Sequence, residues 1–314
     1  MGTPDFAVES LRRLVEGGYN VVGVVTMPDK PVGRHHTELQ PSPVKSYALE
    51  KGIPVLQPEK LKDPQFLQQL ESLKADLQVV VAFRMLPEVV WNMPPKGTFN
   101  LHAALLPQYR GAAPINWAVI NGDTESGVTT FFLDKDIDTG SIIYREKVEI
   151  LPTDNAGDLH DKLMVLGAEL VVKTVADIQA DRVHPLPQSQ FYTDPSQLRP
   201  APKIFKDTCR IDWSRNAVKP VYDFIRGLSP YPAAWTELDN GGDVVNLKVY
   251  AAEMKLGEPS EPSGTVLADD SGRLCVALSD GYVCITSLQM AGKKRMSSAD
   301  FLRGFHLDGD CRVI

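Results

Sequence analysis

Three residue types that cooperate in acyl transfer stand near one another in the middle of this chain. Asn100-Leu101-His102 sets an amide and an imidazole two residues apart, and Asp136-Ile137-Asp138-Thr139-Gly140 follows with a carboxylate in a turn-forming context. An amide N–H donates to a developing oxyanion, which is worth about two to three powers of ten in rate when well placed. An imidazole carries a proton, and a carboxylate holds it in one tautomer or favours its charged form. By spacing alone, Asn-x-His at a strand end is more often a hydrogen-bonded structural pair, and Asp-Thr-Gly is an ordinary turn. The residues by themselves leave both readings open.

A strand running off the carboxyl edge of a sheet would position them. Residues two apart on a strand share a face, and ligands of open α/β sheets gather at that edge. Hydrophobic patterning predicts helices over 4–16, 42–51, 64–73, 114–121 and 158–180, and strands over 21–26, 54–56, 77–82, 98–101 and 128–133. The apolar runs Val21-Val22-Gly23-Val24-Val25 and Leu77-Gln78-Val79-Val80-Val81-Ala82 suit strands covered on both faces. Their alternation with helices predicts an α/β fold with a doubly wound, mostly parallel, Rossmann-like sheet. Prolines 185, 187, 195, 200 and 202 then break regular structure, so 184–206 reads as a linker. Beyond it, one helix over 217–227 and short β-like runs over 235–238, 244–251, 264–268, 274–277 and 282–288 predict a smaller β-barrel, OB-like in kind. The expected division is a catalytic domain over 1–183, the linker over 184–206 and the barrel over 207–314.

Composition narrows the function classes. A chain of 314 residues suits two domains, and 43% hydrophobic with 23% charged residues is the balance of a soluble globular protein. Lys+Arg 33 against Asp+Glu 40 gives a net charge of -7, so any polyanionic partner must be met by local patches. No apolar run approaches the roughly eighteen residues of a membrane span, and no basic-then-apolar leader opens the chain. Cys209, Cys275, Cys284 and Cys311 form no Cys-x-x-Cys and have no neighbouring His pair. Neither a zinc site nor a secreted disulfide framework is expected, and a reducing, cytoplasmic setting fits. A dinucleotide-dependent oxidoreductase is disfavoured because no Gly-x-Gly-x-x-Gly follows a strand. The absence of Gly-x-Ser-x-Gly disfavours a serine hydrolase.

Further motifs appear in a fixed order: Gly2-Thr3-Pro4-Asp5-Phe6-Ala7, Pro41-Ser42-Pro43-Val44-Lys45, the Asn100 and His102 pair, Leu105-Leu106-Pro107-Gln108-Tyr109-Arg110-Gly111-Ala112-Ala113-Pro114, and Asp138-Thr139-Gly140. Arg210-Ile211-Asp212-Trp213-Ser214, Ile225-Arg226-Gly227-Leu228-Ser229-Pro230-Tyr231-Pro232 and Gly292-Lys293-Lys294-Arg295-Met296 continue it. Over essentially its whole length the chain resembles the folate-dependent formyltransferases, in particular those acting on charged initiator tRNA. The resemblance implies that the amine of methionyl initiator tRNA attacks the formyl carbon of 10-formyltetrahydrofolate, the co-substrate. Asn100 and His102 would hold the oxyanion, and Asp138 would position His102 and a water that removes the amine proton. No metal is implied, since the donor is already activated, and metal-ligand spacing is missing.

The resemblance further places the pterin near Phe83, Arg84, Met85, Leu86 and Pro87, near Leu105, Leu106 and Pro107, and near Asp134 and Ile137. Met85 and Leu86 read equally as core. The chain departs from the family pattern here: Phe83 to Pro87 is one residue shorter than the usual Tyr-Gly-x-Ile-Leu-Pro, and Ala104 replaces a common Ser. For tRNA, the resemblance points to Arg34 in the long polar loop 27–40, to Lys45 and Arg110, and to the Lys293, Lys294 and Arg295 cluster of the barrel. His35-His36-Thr37-Glu38 replaces the usual Gly-Lys-Lys, which makes contact there partly pH-dependent. The partners implied are this tRNA and folate, without a membrane, for a monomer. Family members enter Gly2 to Phe6 through a buried apolar strand, whereas Met1 directly precedes Gly2 here. The expectation is a natural start some ten residues upstream. A formyltransferase acting on a small amine, a ribonucleotide or an amino sugar, would keep Asn100, His102 and Asp138 without the basic loop or the barrel. A folate-sensing or RNA-binding module would tolerate loss of all three.

Overall fold

The computed structural model describes residues 1–32 and 38–314, in two compact units. The first unit comprises 1–111, 125–149 and 160–201, and the second 112–124, 150–159 and 202–314. Arg34 and its neighbours over 33–37 lie outside the described residues. This division departs from the expected boundaries at 183 and 206. Residues 184–201 are built into the first unit: Leu186 and Ile142 exchange backbone hydrogen bonds of 2.8 and 2.9 Å, and Ala201 N donates to Arg110 O at 2.8 Å. Prolines hold this stretch to two short 3-10 turns, Gln188–Phe191 and Pro195–Gln197, and leave its other backbone groups able to pair.

In the first unit, α1 (Asp5–Glu16) buries Phe6, Ala7, Ser10 and Leu14, the stripe expected of a 3.6-residue period. Strand β1 (Val24–Val25) is followed by the hairpin of β2 (Lys30–Val32) and β3 (Glu38–Gln40), where a plain loop was expected. Helices α2 (Pro43–Glu50) and α3 (Pro64–Ser72) start where sequence places them. Ser42 and Asp63 accept from the N–H groups of Lys45 and Gln65, with proline at the first helical turn. Strand β4 (Val55–Leu56) pairs in parallel with β1.

After β5 (Gln78–Val81) and the short α4 (Glu88–Trp91), β6 (Thr98–His102) lies parallel to β5. Helix α5 (Pro114–Ile120) groups with the second unit, and β7 (Glu125–Phe132) and β8 (Ile142–Glu149) complete a four-stranded sheet in the order β5-β6-β7-β8. Both β7 and β8 pair antiparallel, so the sheet is parallel on its β5 side and antiparallel on its β8 side. The loop 133–141 between β7 and β8 is too short for a crossover helix, which forces a hairpin. The residues of β8 alternate poorly in hydrophobicity, and sequence reading did not mark them.

The expected strand over 21–26 shrinks to Val24–Val25 because β1 is paired only with β4. Met1 and Gly2 supply the rungs toward β5: Met1 N donates to Val79 O (2.6 Å), Val81 N to Met1 O (2.9 Å) and Gly2 N to Val25 O (3.0 Å). Beyond them a cavity of about 280 Å³ separates the two edges, lined among others by Val22, Val24, Leu77 and Val79. Helix α6 (Ala156–Gln179) is the long helix expected after the sheet.

In the second unit α5 packs on α7 (Val218–Gly227), and the two approach so closely that a Cβ on Gly227 would lie 2.5 Å from Ile120. The strands β9 (Ala234–Asn240), β10 (Asp243–Leu256), β11 (Val266–Ala268), β12 (Leu274–Leu278) and β13 (Gly281–Met290) are the expected β-like runs, all lengthened except β11, which is two residues shorter. Strand β14 (Met296–Ser297), α8 (Ser298–Gly304) and β15 (Arg312–Val313) follow. All pairs are antiparallel, in the order β11-β12-β13-β10-β9-β15 with β14 on β13. Val266 N to Cys311 O (2.9 Å) and Val313 N to Gly264 O (3.0 Å) then nearly close the barrel around Leu238, Leu247, Val249, Leu274 and Ile285.

Sequence separation misled the reading of the cysteines. The β12–β13 hairpin sets Cys275 opposite Cys284, and they form a disulfide, while Cys209 and Cys311 are free and buried. Among the described residues no helix is long and apolar enough to cross a membrane.

Candidate active site

Strand β6 carries two members of the expected trio. Asn100 sits between Val80 of β5 and Phe131 of β7, and His102 is opposite Thr129. Leu101, on the other face, packs where Gly167 of α6 leaves room: a Cβ there would lie 2.7 Å from its side chain. Asn100 and His102 therefore share the face away from α6. The half-buried amide of Asn100 makes no hydrogen bond among the described residues, which leaves its N–H groups to a ligand.

His102 is buried, with Nε2 2.8 Å from the carbonyl oxygen of Tyr109 and Nδ1 3.7 Å from Oδ2 of Asp138. A carbonyl only accepts, so Nε2 carries a proton and Nδ1 is the nitrogen that faces Asp138. At 3.7 Å the carboxylate is too far for a hydrogen bond to the ring.

The carboxylate is aimed by backbone. Asp138 has a φ of +56°, and its Oδ2 accepts from Gly111 N at 2.9 Å. Gly111 has a φ of +123°, and a Cβ there would lie 2.4 Å from Ala201 O, so only glycine fits. Upstream, the 103–111 loop is tied to the sheet. Thr129 Oγ1 donates to Ala104 O (2.7 Å) and accepts from Leu106 N (3.0 Å), and Arg145 donates to Leu106 O (3.1 Å). Burial lowers the affinity of Arg145 for its proton, and its guanidinium stacks 4.1 Å from the Phe191 ring.

The residues assigned to the pterin fall into two groups. Leu86 and Leu106 are core, Pro107 is buried, and Leu105, Phe83 and Pro87 are half-buried. Met85 and Ile137 are exposed apolar side chains at 65% and 60%, the kind of surface a flat ring system covers. Asp134 faces inward on its own turn, its Oδ1 accepting from Asp136 N (3.1 Å) and Thr139 Oγ1 (2.6 Å). Arg84 is taken up internally: its guanidinium donates to Glu59 O at 2.8 Å and to Pro58 O, which ties the shortened 83–87 segment to the loop before α3. An open cavity of about 440 Å³ lies beside it, lined by Lys60, Leu61, Lys62, Met85, Leu86 and Pro87.

The cations assigned to tRNA divide as clearly. Lys45 is paired with Asp29 at 2.6 Å, and that bond together with one from Gln57 holds the Asp29 carboxyl below the usual range. Arg110 donates through Nε (3.0 Å) and Nη2 (2.6 Å) to Gln188 Oε1, and Arg295 stacks 4.5 Å from the Tyr250 ring and donates to Ser287 Oγ. Lys293 and Lys294, on the turn between β13 and β14, are exposed and make no ion pair among the described residues.

Sequence reading missed Gln188, Tyr109, Gly111 and Thr129 as parts of this site. Tyr109 acts through its carbonyl and Gly111 through its N–H, which residue type does not signal, and the Thr129 hydroxyl and the Gln188 amide are brought to the site only by tertiary packing. Among the described residues, one group brings possible metal ligands together, Asp269 with Cys275 and Cys284. Its sulfurs are joined to each other, and Asp269 accepts from Arg273, so its donors are spent.

The formyl transferase family matches residues 1–175, and the C-terminal domain of formyl transferases matches 203–306. A methionyl-tRNA formyltransferase of Parabacteroides distasonis is 63% identical over 306 residues, covering 97% of this chain and 94% of the relative. That of Bacteroides thetaiotaomicron is 62% identical over 308 residues, covering 98% and 95%. Among solved structures, the sugar 3N-formyl transferase WlaRD, crystallised with dTDP and 5-N-formyl-THF, matches with a TM-score of 0.63 at 18% identity, over 93% of this chain and 97% of its own. HypX from Aquifex aeolicus in complex with tetrahydrofolic acid matches at a TM-score of 0.59 and 20% identity, over 82% of this chain and 43% of its own. These two likenesses are of fold.

Proposed function

Because this chain belongs to the formyl transferase family, with methionyl-tRNA formyltransferases as near relatives along almost its whole length, we propose a residue-level account of formyl transfer to methionyl initiator tRNA. The reaction moves a formyl group from a folate donor to the free amino group of the charged tRNA. Of the two acceptor classes considered, a small amine is not favoured, since the relatives at 46–63% identity carry the tRNA name.

The donor in this account is 10-formyltetrahydrofolate. Its pterin would cover Met85 and Ile137, and Lys60 and Lys62 offer cations to the glutamyl carboxylates at the rim of the open cavity. The methionyl amine attacks the formyl carbon, a C–N bond forms, and the carbonyl oxygen becomes an oxyanion that accepts from the free amide of Asn100. His102 takes the amine proton at Nδ1, and the imidazolium is stabilised by Asp138 on one side and fixed by Tyr109 O on the other. The proton then passes to N10 of the folate as the C–N10 bond breaks, releasing tetrahydrofolate. No step calls on a metal. Lys293 and Lys294 are barrel cations free to meet tRNA phosphates, and Arg34 belongs to the same proposal from outside the described residues.

The carrying observation is His102 locked by a carbonyl at Nε2 while its other nitrogen faces Asp138 on the strand that presents an unpaired Asn100 amide. The test is formyl transfer to methionyl initiator tRNA by the wild type and Asn100→Ala. A loss of about two to three powers of ten in kcat is expected. A variant as fast as the wild type would remove Asn100 from the oxyanion site.

A further inference from the structure

Gln188 is a neutral side chain from the proline-rich stretch, yet it is 3% exposed and uses every hydrogen-bonding position it has. Its Nε2 donates to Asp138 O at 2.7 Å and to Gly140 O at 3.0 Å. Its Oε1 accepts twice from Arg110, at 3.0 and 2.6 Å. The residue after Arg110 is Gly111, whose N–H holds the Asp138 carboxylate, and the residue before it is Tyr109, whose carbonyl holds His102. One amide therefore joins the main chain of the Asp138 turn to the segment that fixes both Asp138 and His102. The turn needs such a tie: Asp138 is a non-glycine residue in the left-handed region, a conformation that persists only where its surroundings over-determine it. Gln188 is itself seated by the backbone pair between Leu186 and Ile142.

We infer that Gln188 is a positioning residue of formyl transfer, setting the distance between the Asp138 carboxylate and the His102 ring by clamping the Asp138–Gly140 carbonyls to Arg110. The inference rests on the reading that His102 and Asp138 act in the reaction. A displacement of about 1 Å between reacting groups costs on the order of a hundredfold in rate, while substrate contacts made elsewhere are untouched. The effect belongs in kcat rather than in KM.

Two variants divide the clamp. Gln188→Met keeps the volume and removes all four bonds, whereas Gln188→Glu keeps the pairing with Arg110 and removes the donors to Asp138 O and Gly140 O. Both are expected to lower kcat roughly ten- to a hundredfold, to leave KM for methionyl-tRNA and for the folate within about twofold, and to shift the pH–rate profile as Asp138 moves from His102. Gln188→Glu, with Arg110 still satisfied, supplies the folded variant should Gln188→Met not fold. Wild-type kcat and pH profile in a folded Gln188→Glu, whatever its melting temperature, overturns the inference. Asp138→Asn is assayed alongside. If it too matches the wild type, the reading of the site has failed; if it is inactive while Gln188→Glu is not, the clamp alone has failed.

Discussion

In the second unit, β15 pairs with β9 and reaches back past β11 through the bonds from Val266 and Val313, so nearly every strand edge is met by another. In the first unit, the pair of β1 with β4 and the four-stranded sheet β5-β6-β7-β8 are separate, and their facing edges are joined by Met1 and Gly2 alone among the described residues, with the 280 Å³ cavity beyond. The two regions have similar β-branched composition, so the difference is one of closure. A closed ladder surrounds its apolar side chains, whereas an open edge leaves backbone groups and side chains facing space. The site uses the sound half of the first unit: Asn100 and His102 sit on β6, flanked on both sides by paired strands.

Matched truncations in the two regions separate a closed ladder from an open edge most directly. Ile285→Ala removes a fully buried barrel side chain and is expected to destabilise by about 2–5 kcal/mol. Val79→Ala, at the cavity wall, is expected to cost under about 1 kcal/mol, because the methyls removed have few partners to lose. Denaturant unfolding of both checks it, and equal losses would show that the cavity is closed in solution.

A second test asks whether the barrel contributes to substrate binding. Lys293→Ala with Lys294→Ala is expected to raise KM for tRNA severalfold and to flatten its salt dependence, each lost phosphate contact reducing the slope by roughly 0.7–0.9. Unchanged KM with an unchanged slope would assign the barrel a purely structural role. The smallest effect is at Cys311, where burial, helped by Asp239 and Asp308, pushes the thiol from 9.0 up to about 11. The folded state holds this proton more tightly than the unfolded chain. Its contribution to stability is therefore complete below pH 9 and is lost as pH rises toward 11. Iodoacetamide at pH 7.5 is expected to leave Cys311 unmodified until denaturant is added, and rapid alkylation of the native protein would contradict it.

Much was legible from residue order. Helices α1, α2 and α3 lie within a residue or two of their expected spans, α1 by the period of its buried stripe and α2 and α3 because Ser42, Asp63 and the prolines beside them act locally. Asn100 and His102 were placed together because a strand alternates by two, and motif order across the chain pointed to the formyl transferase family that the comparisons show. The rest depended on residues distant in sequence. The turn of β7 back against β6, the pairing of β15 with β9 and the meeting of Cys275 with Cys284 are set by register between strands. The set of contacts that holds His102 and Asp138 was invisible for the same reason. Its parts are the carbonyl of Tyr109, the N–H of Gly111 and a glutamine fifty residues downstream in a stretch read as linker. Side-chain type and local periodicity determine which elements form and which groups can do chemistry. Only tertiary structure decides which backbone groups face them, because every residue carries the same N–H and C=O and nothing in its identity says where they point.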